Sequence, residues 1–136
     1  MFDYKKLKKK KVAFICVENA CRSQIAEAMA NKLCSKCNLE FLSGGTKPAD
    51  RVNPMALEVL KEEGINWQGK PKSIFSEEFT NIDIVMTMGC EVECPVIPGA
   101  RVINWEIPDP KGKGREEFRK TLDIIRKEVI ALLKEL

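Results

Sequence analysis

A chain of 136 residues with ordinary apolar and charged fractions has room for one domain built around a single core. Its net charge of +3 is small, and much of the excess comes from lysines at positions 5, 6 and 8 to 11. Histidine is absent, which excludes Ser-His-Asp and Cys-His catalytic pairs and every metal site that needs an imidazole. A general acid or base must therefore be a carboxylate, a thiol or a lysine.

The lysine-rich start is typical of a solvated tail, here residues 1–10, ahead of a single domain over residues 11–136. A basic patch for nucleic acid or a membrane surface is the alternative, but the run is short and we expect neither partner. The apolar stretch that follows is too short for a secretory signal or a membrane span. We therefore expect a cytoplasmic monomer, in which six cysteines indicate redox chemistry or metal binding rather than a disulfide framework.

Apolar strands alternate with amphipathic helices along the rest of the chain. The continuous apolar run over Lys11–Val17 predicts a buried strand. From Ser23 the pattern predicts a helix with Glu27 and Lys32 facing water and an inward face made of Ile25, Ala26, Met29, Ala30 and Leu33. The later elements are a short strand at Phe41 and Leu42, a helix from Asn53-Pro54 to Gly64, strands over Ile82–Met88 and Arg101–Trp105, and a long helix from about Gly114 to Leu136.

This order of elements predicts an α/β fold, a single-domain three-layer sandwich whose central four-stranded parallel sheet has helices on both faces. Ligands in such folds bind beyond the carboxyl ends of the strands. Cys16, the Gly89-Cys90 pair and the residues after Trp105 all follow strand ends. We therefore expect these three regions to converge on one site.

The segment between the first strand and the first helix has the residues of an oxyanion-binding loop: Cys16-Val17-Glu18-Asn19-Ala20-Cys21-Arg22-Ser23. A loop that wraps into a helix N-terminus turns successive backbone N–H groups toward one point, and Arg22 adds a planar bidentate donor. The same positive field favours the thiolate of Cys16, to which Ser23 can donate a hydrogen bond, while Asn19 holds the loop. Cys16 is therefore the candidate nucleophile; the alternative is a buried strand cysteine beside a surface arginine.

The run from Phe14 to Ala28 resembles the active-site segment of low-molecular-weight tyrosine phosphatases. It is more similar still to their relatives, the thioredoxin-linked arsenate reductases, in which Arg-Ser-Gln followed by Ala-Glu is characteristic. The resemblance extends nearly to the end of the chain, through Ser43-Gly44-Gly45-Thr46, Met88-Gly89-Cys90, Cys94-Pro95, Trp105 and Pro108-Asp109-Pro110. One departure is Glu18, where many reductases have glycine, and we expect its carboxylate to point away from the bound anion.

The resemblance implies a relay of three cysteines. Cys16 would attack arsenate, for which phosphate or sulfate is a mimic, and Cys90 would then attack the Cys16 sulfur and release arsenite. Cys94 would move the resulting disulfide to Cys90–Cys94, where thioredoxin reduces it. The resemblance requires no cofactor, although Asn19, Glu27 and Ser43 match positions that contribute to a potassium site in some family members.

The proline after Asp109 makes the segment Pro108-Asp109-Pro110 stiff and extended, so that it can present a carboxylic acid over the anion site. In the resembling families the aspartate of this pair protonates the leaving group. A simple polar turn is the alternative interpretation.

The sequence leaves three functions open: arsenate reduction, which the resemblance favours, and two alternatives. A phosphatase acting on phosphotyrosine or small phosphate esters would use Cys16, Arg22 and Asp109 in the same roles but would leave Cys90 and Cys94 unexplained. A redox-sensing or metal-binding module would use the thiols without turnover. Zinc bound by Cys90 and Cys94 with the Cys34–Cys37 pair is disfavoured because helix and strand C-termini tend to lie on opposite edges of an α/β sheet. We expect no metal, no required role for Cys34 and Cys37 as partly exposed thiols, and a Cys21 side chain packed behind the loop.

Overall fold

The computed structural model describes residues 9–89 and 97–136. In chain order the elements are strand β1 (Lys10–Cys16), helix α1 (Arg22–Leu33), strand β2 (Leu39–Gly45), helix α2 (Pro54–Glu62), a 3₁₀ helix (Glu77–Phe79), strand β3 (Ile84–Thr87), strand β4 (Arg101–Asn104) and helix α3 (Arg115–Glu135). The strands form one parallel sheet in the order β2-β1-β3-β4. The predicted fold class is confirmed, with element ends shifted by one to three residues; the largest shift is at β2, which extends to Gly45 instead of Leu42.

The central strand β1 buries both of its faces, which explains its continuous apolar sequence. Val12, Phe14 and Cys16 belong to the large core that the three α-helices share with the sheet. Ala13 and Ile15 point the other way, because successive strand side chains alternate. There they join a smaller apolar cluster that includes Phe79 of the 3₁₀ helix. Helical segments thus cover both faces of the sheet and complete three layers.

The ends of α2 follow from local sequence. The Asn53 side chain accepts a hydrogen bond from the backbone N–H of Met55 at 2.9 Å, and Pro54 occupies the first helical position, where its missing N–H costs nothing. Gly64 follows the helix with a φ of +78°, a left-handed conformation that glycine adopts without strain. The predicted helix from Asn53-Pro54 to Gly64 therefore forms as expected.

Two side-chain placements on α1 differ from the expectation. Leu33 is 42% exposed instead of buried, because it is the last residue of the helix and extends past the layers that cover the earlier turns. Glu27 does not simply face water: it is half-buried, and the Ser43 hydroxyl of β2 donates to its Oε1 at 2.5 Å. Helical periodicity cannot reveal a partner that comes from a neighbouring strand.

Two predictions extend beyond the described part of the chain. The tail over residues 1–10 stays a prediction, since residues 1–8 lie outside the described ranges. Cys90 and Cys94 lie outside them as well. Among residues 9–89 and 97–136, no helix is both long enough and apolar enough to cross a membrane.

Candidate active site

The carboxyl ends of β1, β3 and β4 meet at one edge of the sheet, as parallel pairing requires. The loops that follow these strands border a cavity of about 300 Å³, lined by Cys16, Val17, Glu18, Ala20, Cys21, Arg22, Gly89 and Asp109. The structure therefore brings together three regions that are far apart in sequence: the loop after β1, Gly89 after β3, and the Asp109 segment after β4.

The backbone of the β1–α1 loop is held by the segment that follows β2. The carbonyls of Val17, Glu18 and Ala20 accept hydrogen bonds at 2.8–2.9 Å from the N–H groups of Lys47, Ala49 and Asn53 respectively. In a trans peptide the N–H points opposite to the C=O of the same plane. The N–H groups of residues 18, 19 and 21 are consequently turned toward the cavity side, where an anion would accept their hydrogen bonds.

Close packing at Gly45 keeps this loop in place. A Cβ added at Gly45 would lie 2.4 Å from the Val17 carbonyl oxygen and 3.0 Å from the Asn19 nitrogen, so only glycine lets the end of β2 approach the loop. Asn19 itself adopts a left-handed φ of +51°, a conformation that asparagine tolerates better than most residues. The N-terminus of α1 completes the anion site, since Cys21, its N-cap residue, makes no side-chain capping bond.

Cys16 lies at the end of β1 and is buried. Its Sγ is 2.9 Å from the Ser23 hydroxyl, and the Asn19 side-chain amide donates to that hydroxyl at 2.6 Å. All three residues belong to the predicted loop. The arrangement can stabilise a thiolate by direct hydrogen bonding and by the partial positive charge at the start of α1.

Arg22 links the β1–α1 loop to the segment after β4 that carries Asp109. Its Nη1 donates to the Ile107 carbonyl at 2.9 Å, and its Nη2 lies 3.6 Å from Asp109 Oδ2. The guanidinium packs on the backbone of Gly89, where an added Cβ would lie only 2.4 Å from Nη1. Arg22 is thereby held at the cavity wall, where its charge can interact with an anion in the cavity.

The loop after β4 carries a half-exposed carboxylate, Asp109, whose side chain is 49% exposed. Its Oδ1 accepts from the backbone N–H of Lys111 at 3.0 Å, which fixes the turn. The Lys111 ammonium reaches back to Glu18 Oε1 at 2.7 Å, and this pairing raises the pKa of Lys111. The acidic side chain that departs from the family pattern is thus paired with a cation, and the ion pair joins the two loops.

Cys21 is buried near the nucleophile and lines the cavity, so its expected position behind the loop stays a prediction. Burial raises the pKa of its thiol to about 12, and the negative charges of Asp109 and of a Cys16 thiolate act in the same direction. At neutral pH Cys21 therefore remains a thiol and does not compete with Cys16 as a nucleophile.

The side chains of the predicted potassium site are occupied by other contacts. Ser43 donates to Glu27, whose pKa burial raises above its usual value. Both lone pairs of Asn19 Oδ1 are engaged, by the Gln24 side-chain amide at 3.0 Å and by the Lys72 backbone N–H at 2.9 Å. These residues fit a cation poorly in this conformation. Within the described ranges, no cluster of three or more His, Cys, Asp or Glu residues could hold a metal ion.

Cys34 and Cys37 form a disulfide across the turn that follows α1, with their Cα atoms 5.4 Å apart. The expectation of two partly exposed thiols is correct about the exposure and wrong about the thiols. The chain turns immediately after Leu33, and the Cys37 N–H donates to the Cys34 carbonyl, which brings the two side chains together. In this state neither sulfur is available as a zinc ligand.

Two residues that contact the loop, Gln24 and Trp67, were not predicted from the sequence. Gln24 is fully buried and donates to the Asn19 carbonyl and side chain, and the Trp67 indole donates to Gln24 Oε1 at 2.8 Å. Gln24 could have been found, because it lies next to Ile25 and therefore beside the predicted inward face of α1. Nothing in the local sequence indicated Trp67, because it lies 43 positions further along the chain.

The chain is similar to known proteins over nearly its whole length. A sequence profile of the low molecular weight phosphotyrosine protein phosphatases matches residues 11–136. A Halobacterium salinarum protein provisionally named arsenate reductase is 36% identical over 133 residues, which cover 92% of each chain. Arsenate reductase 2 of Staphylococcus haemolyticus is 34% identical over 122 residues, 87% of this chain and 92% of that one.

A solved structure shows the same similarity in three dimensions. The thioredoxin-dependent arsenate reductase of Corynebacterium glutamicum superposes with a TM-score of 0.78 at 34% identity. The match covers 93% of this chain and 61% of the Corynebacterium chain. The shared fold therefore accounts for somewhat less than two thirds of that relative.

Proposed function

This chain belongs to the low molecular weight phosphotyrosine protein phosphatase family, and we propose that within it the protein is an arsenate reductase whose nucleophile is Cys16. One observation carries the proposal: the Cys16 sulfur lies 2.9 Å from the Ser23 hydroxyl and borders the same cavity as Arg22. The amides of the β1–α1 loop are turned toward this cavity. Relatives that are 34–36% identical and named arsenate reductase support the choice of reaction.

The first step is attack of the Cys16 thiolate on the arsenic of arsenate. An As–S bond forms and an As–O bond breaks, and Asp109 supplies the proton with which that oxygen leaves as water. Asp109 suits this role because its side chain is half-exposed and lines the same cavity as Cys16, on a segment separate from the nucleophile's own loop. Arg22 and the loop amides hold the remaining oxygens and stabilise their negative charge.

The second step transfers two electrons. The Cys90 thiolate attacks the Cys16 sulfur, the As–S bond breaks with its electron pair remaining on arsenic, and arsenite leaves. Cys94 then attacks Cys90, which regenerates the Cys16 thiol and leaves a Cys90–Cys94 disulfide. A dithiol protein of the thioredoxin class reduces that disulfide. We place the cycle in the cytoplasm and assign it to a monomer, because a thiol relay needs a reducing compartment and uses three cysteines of one chain.

Counting thiols after one arsenate turnover without reductant tests the relay. The Cys34→Ser/Cys37→Ser double variant is the right starting protein, because its count is free of the disulfide after α1. We expect the loss of two thiols for each arsenite formed. Cys90→Ser should release no arsenite, and Cys94→Ser should stop after one turnover even when thioredoxin is present. Full thioredoxin-coupled turnover by either variant would show that the relay is wrong.

Hydrolysis of phosphate monoesters is the second candidate function. The family match favours it, and Cys16, Arg22 and Asp109 suffice for it without a second thiol. The Cys90→Ser variant should keep hydrolysis of p-nitrophenyl phosphate under either function, so the formation of arsenite by the wild type, and its loss in this variant, separates the two. A protein that hydrolyses the ester rapidly and forms no arsenite from arsenate is a phosphatase.

A further inference from the structure

A continuous chain of side-chain hydrogen bonds leads from a half-buried tryptophan to the nucleophile. The Trp67 indole Nε1 donates to Gln24 Oε1 at 2.8 Å, and Gln24 Nε2 donates to Asn19 Oδ1 at 3.0 Å. Asn19 Nδ2 donates to the Ser23 hydroxyl at 2.6 Å, and Ser23 Oγ lies 2.9 Å from Cys16 Sγ. We propose that Gln24 and Trp67 are positioning residues, which fix the direction of this chain so that Ser23 donates its proton to the Cys16 sulfur.

The direction follows from groups that can only donate. An indole N–H has no acceptor lone pair, so the Gln24 atom that faces Trp67 must be its oxygen. The Gln24 amide nitrogen then faces Asn19, where it meets the backbone carbonyl at 3.1 Å as well as Oδ1. Reversal of the Gln24 amide would place an oxygen against both of these oxygens and an N–H against the indole N–H.

A second donor fixes Asn19 independently. The backbone N–H of Lys72, which also cannot accept, donates to Asn19 Oδ1 at 2.9 Å. The Asn19 amide nitrogen is therefore the atom that faces Ser23. Since Ser23 accepts there, its single hydroxyl proton is left for the sulfur. A hydrogen bond in this direction favours the thiolate over the thiol.

Burial of these side chains enforces the direction of the hydrogen bonds. Asn19, Ser23 and Gln24 are fully buried, so a misdirected amide could not exchange its lost partner for water. The outer end of the chain is covered too. A Cβ added at Gly69 would lie 2.4 Å from Trp67 Nε1 and 2.6 Å from Gln24 Oε1, which shows that the Gly69 backbone packs against their hydrogen bond. An apolar pair at positions 24 and 67 would fill the same space without this polarity.

The inference rests on Cys16 as the nucleophile and is independent of the oxyanion that it attacks. The test is the second-order rate of Cys16 alkylation by iodoacetamide between pH 5 and 9, read by fragment-resolved mass spectrometry that separates Cys16 from Cys21. We expect Trp67→Phe to lower the rate at pH 6.5 about fivefold, the factor that corresponds to one lost hydrogen bond. Gln24→Leu should lower it further, and both profiles should move to higher pH.

The matched control for Gln24→Leu is Gln68→Leu, which removes an exposed glutamine whose side-chain amide donates to Asn66 and lies outside the hydrogen-bond chain to Cys16. Its alkylation profile should equal that of the wild type. Trp105→Phe provides a stability control, because it removes the other indole, which packs on Phe14 and takes no part in the chain. If it lowers the melting temperature as much as Trp67→Phe and leaves alkylation unchanged, loss of stability does not explain the effect.

A double-mutant cycle shows whether Trp67 acts through Ser23. In a Ser23→Ala background, Trp67→Phe should have no further effect on alkylation. An equal loss in both backgrounds, or unchanged profiles for Trp67→Phe and Gln24→Leu, would overturn the inference. Slow alkylation of wild-type Cys16 would instead contradict its role as nucleophile, so the two failures are distinguishable.

Discussion

Replacing Gly89 with alanine should displace Arg22 from the anion site. An added Cβ would lie 2.4 Å from Nη1 and 3.0 Å from Nη2, well inside van der Waals contact, and the neighbouring backbone carbonyl of Ile107 limits how far the guanidinium can move. Gly89 also has a φ of +77°, which adds about 1 kcal/mol of backbone strain for an alanine. The variant therefore combines a general backbone cost with a specific loss at the site.

The specific loss can be estimated from one charged hydrogen bond. Bonds to a charged group contribute about 1.5–3 kcal/mol, which corresponds to roughly a 10- to 150-fold change in a binding constant. We expect phosphate or arsenate to bind Gly89→Ala more weakly by a factor in this range, measured by isothermal titration calorimetry. The affinity for the anion, rather than the melting temperature alone, is the informative quantity.

Gly99 supplies the matched control. Its φ of +81° is almost the same, and an added Cβ would meet no atom within 4 Å among the described residues. Gly99→Ala should therefore reproduce the backbone strain and leave phosphate affinity unchanged. If both variants lose the same affinity, or if Gly89→Ala binds phosphate within twofold of the wild type, the contact with Arg22 does not position the guanidinium.

Three further results are expected. The double variant Cys34→Ser/Cys37→Ser should lose about 2 kcal/mol in urea unfolding without reductant, as expected for a very short disulfide loop, and should match the wild type once dithiothreitol is present. The raised pKa of Glu27 means that the folded state keeps the proton to higher pH than the unfolded state does. The free energy of unfolding of the wild type, relative to Glu27→Gln, should therefore fall as the pH rises above about 4.3. Equal pH profiles of the two proteins in urea unfolding would contradict this. Lys111→Met leaves the Glu18 carboxylate unpaired beside the anion and should weaken phosphate binding about twofold, which Glu18→Gln in the same chain should reverse in titration calorimetry.

The features that could be predicted from the sequence have local causes. The apolar run of β1, the Asn53-Pro54 helix start and the Cys16–Ser23 loop each fit within a window of a few residues, where periodicity, capping and spacing act directly. The convergence of Cys16, Gly89 and Asp109 followed from one general rule about strand ends in parallel sheets.

The missed features depend on pairs that meet only in the folded chain. Trp67 reaches Gln24 across 43 positions, and Ser43 converts Glu27 from a surface carboxylate into a half-buried one. The Cys34–Cys37 disulfide was missed for another reason: spacing permits either two thiols or a bond, and the turn after α1 decides between them.

The loop carbonyls tied down by Lys47, Ala49 and Asn53 have a consequence for substrate choice. Backbone amides donate hydrogen bonds to the oxygens of a tetrahedral anion and do not contact its central atom. Such a site therefore recognises the shape and charge of the anion and hardly distinguishes arsenic from phosphorus. If the protein reduces arsenate as proposed, phosphate should occupy the cavity much as arsenate does and act as a competitive inhibitor. On the proposed relay, the enzyme would distinguish the two anions only after binding, because the arsenic of a Cys16 adduct can accept two electrons and the phosphorus cannot.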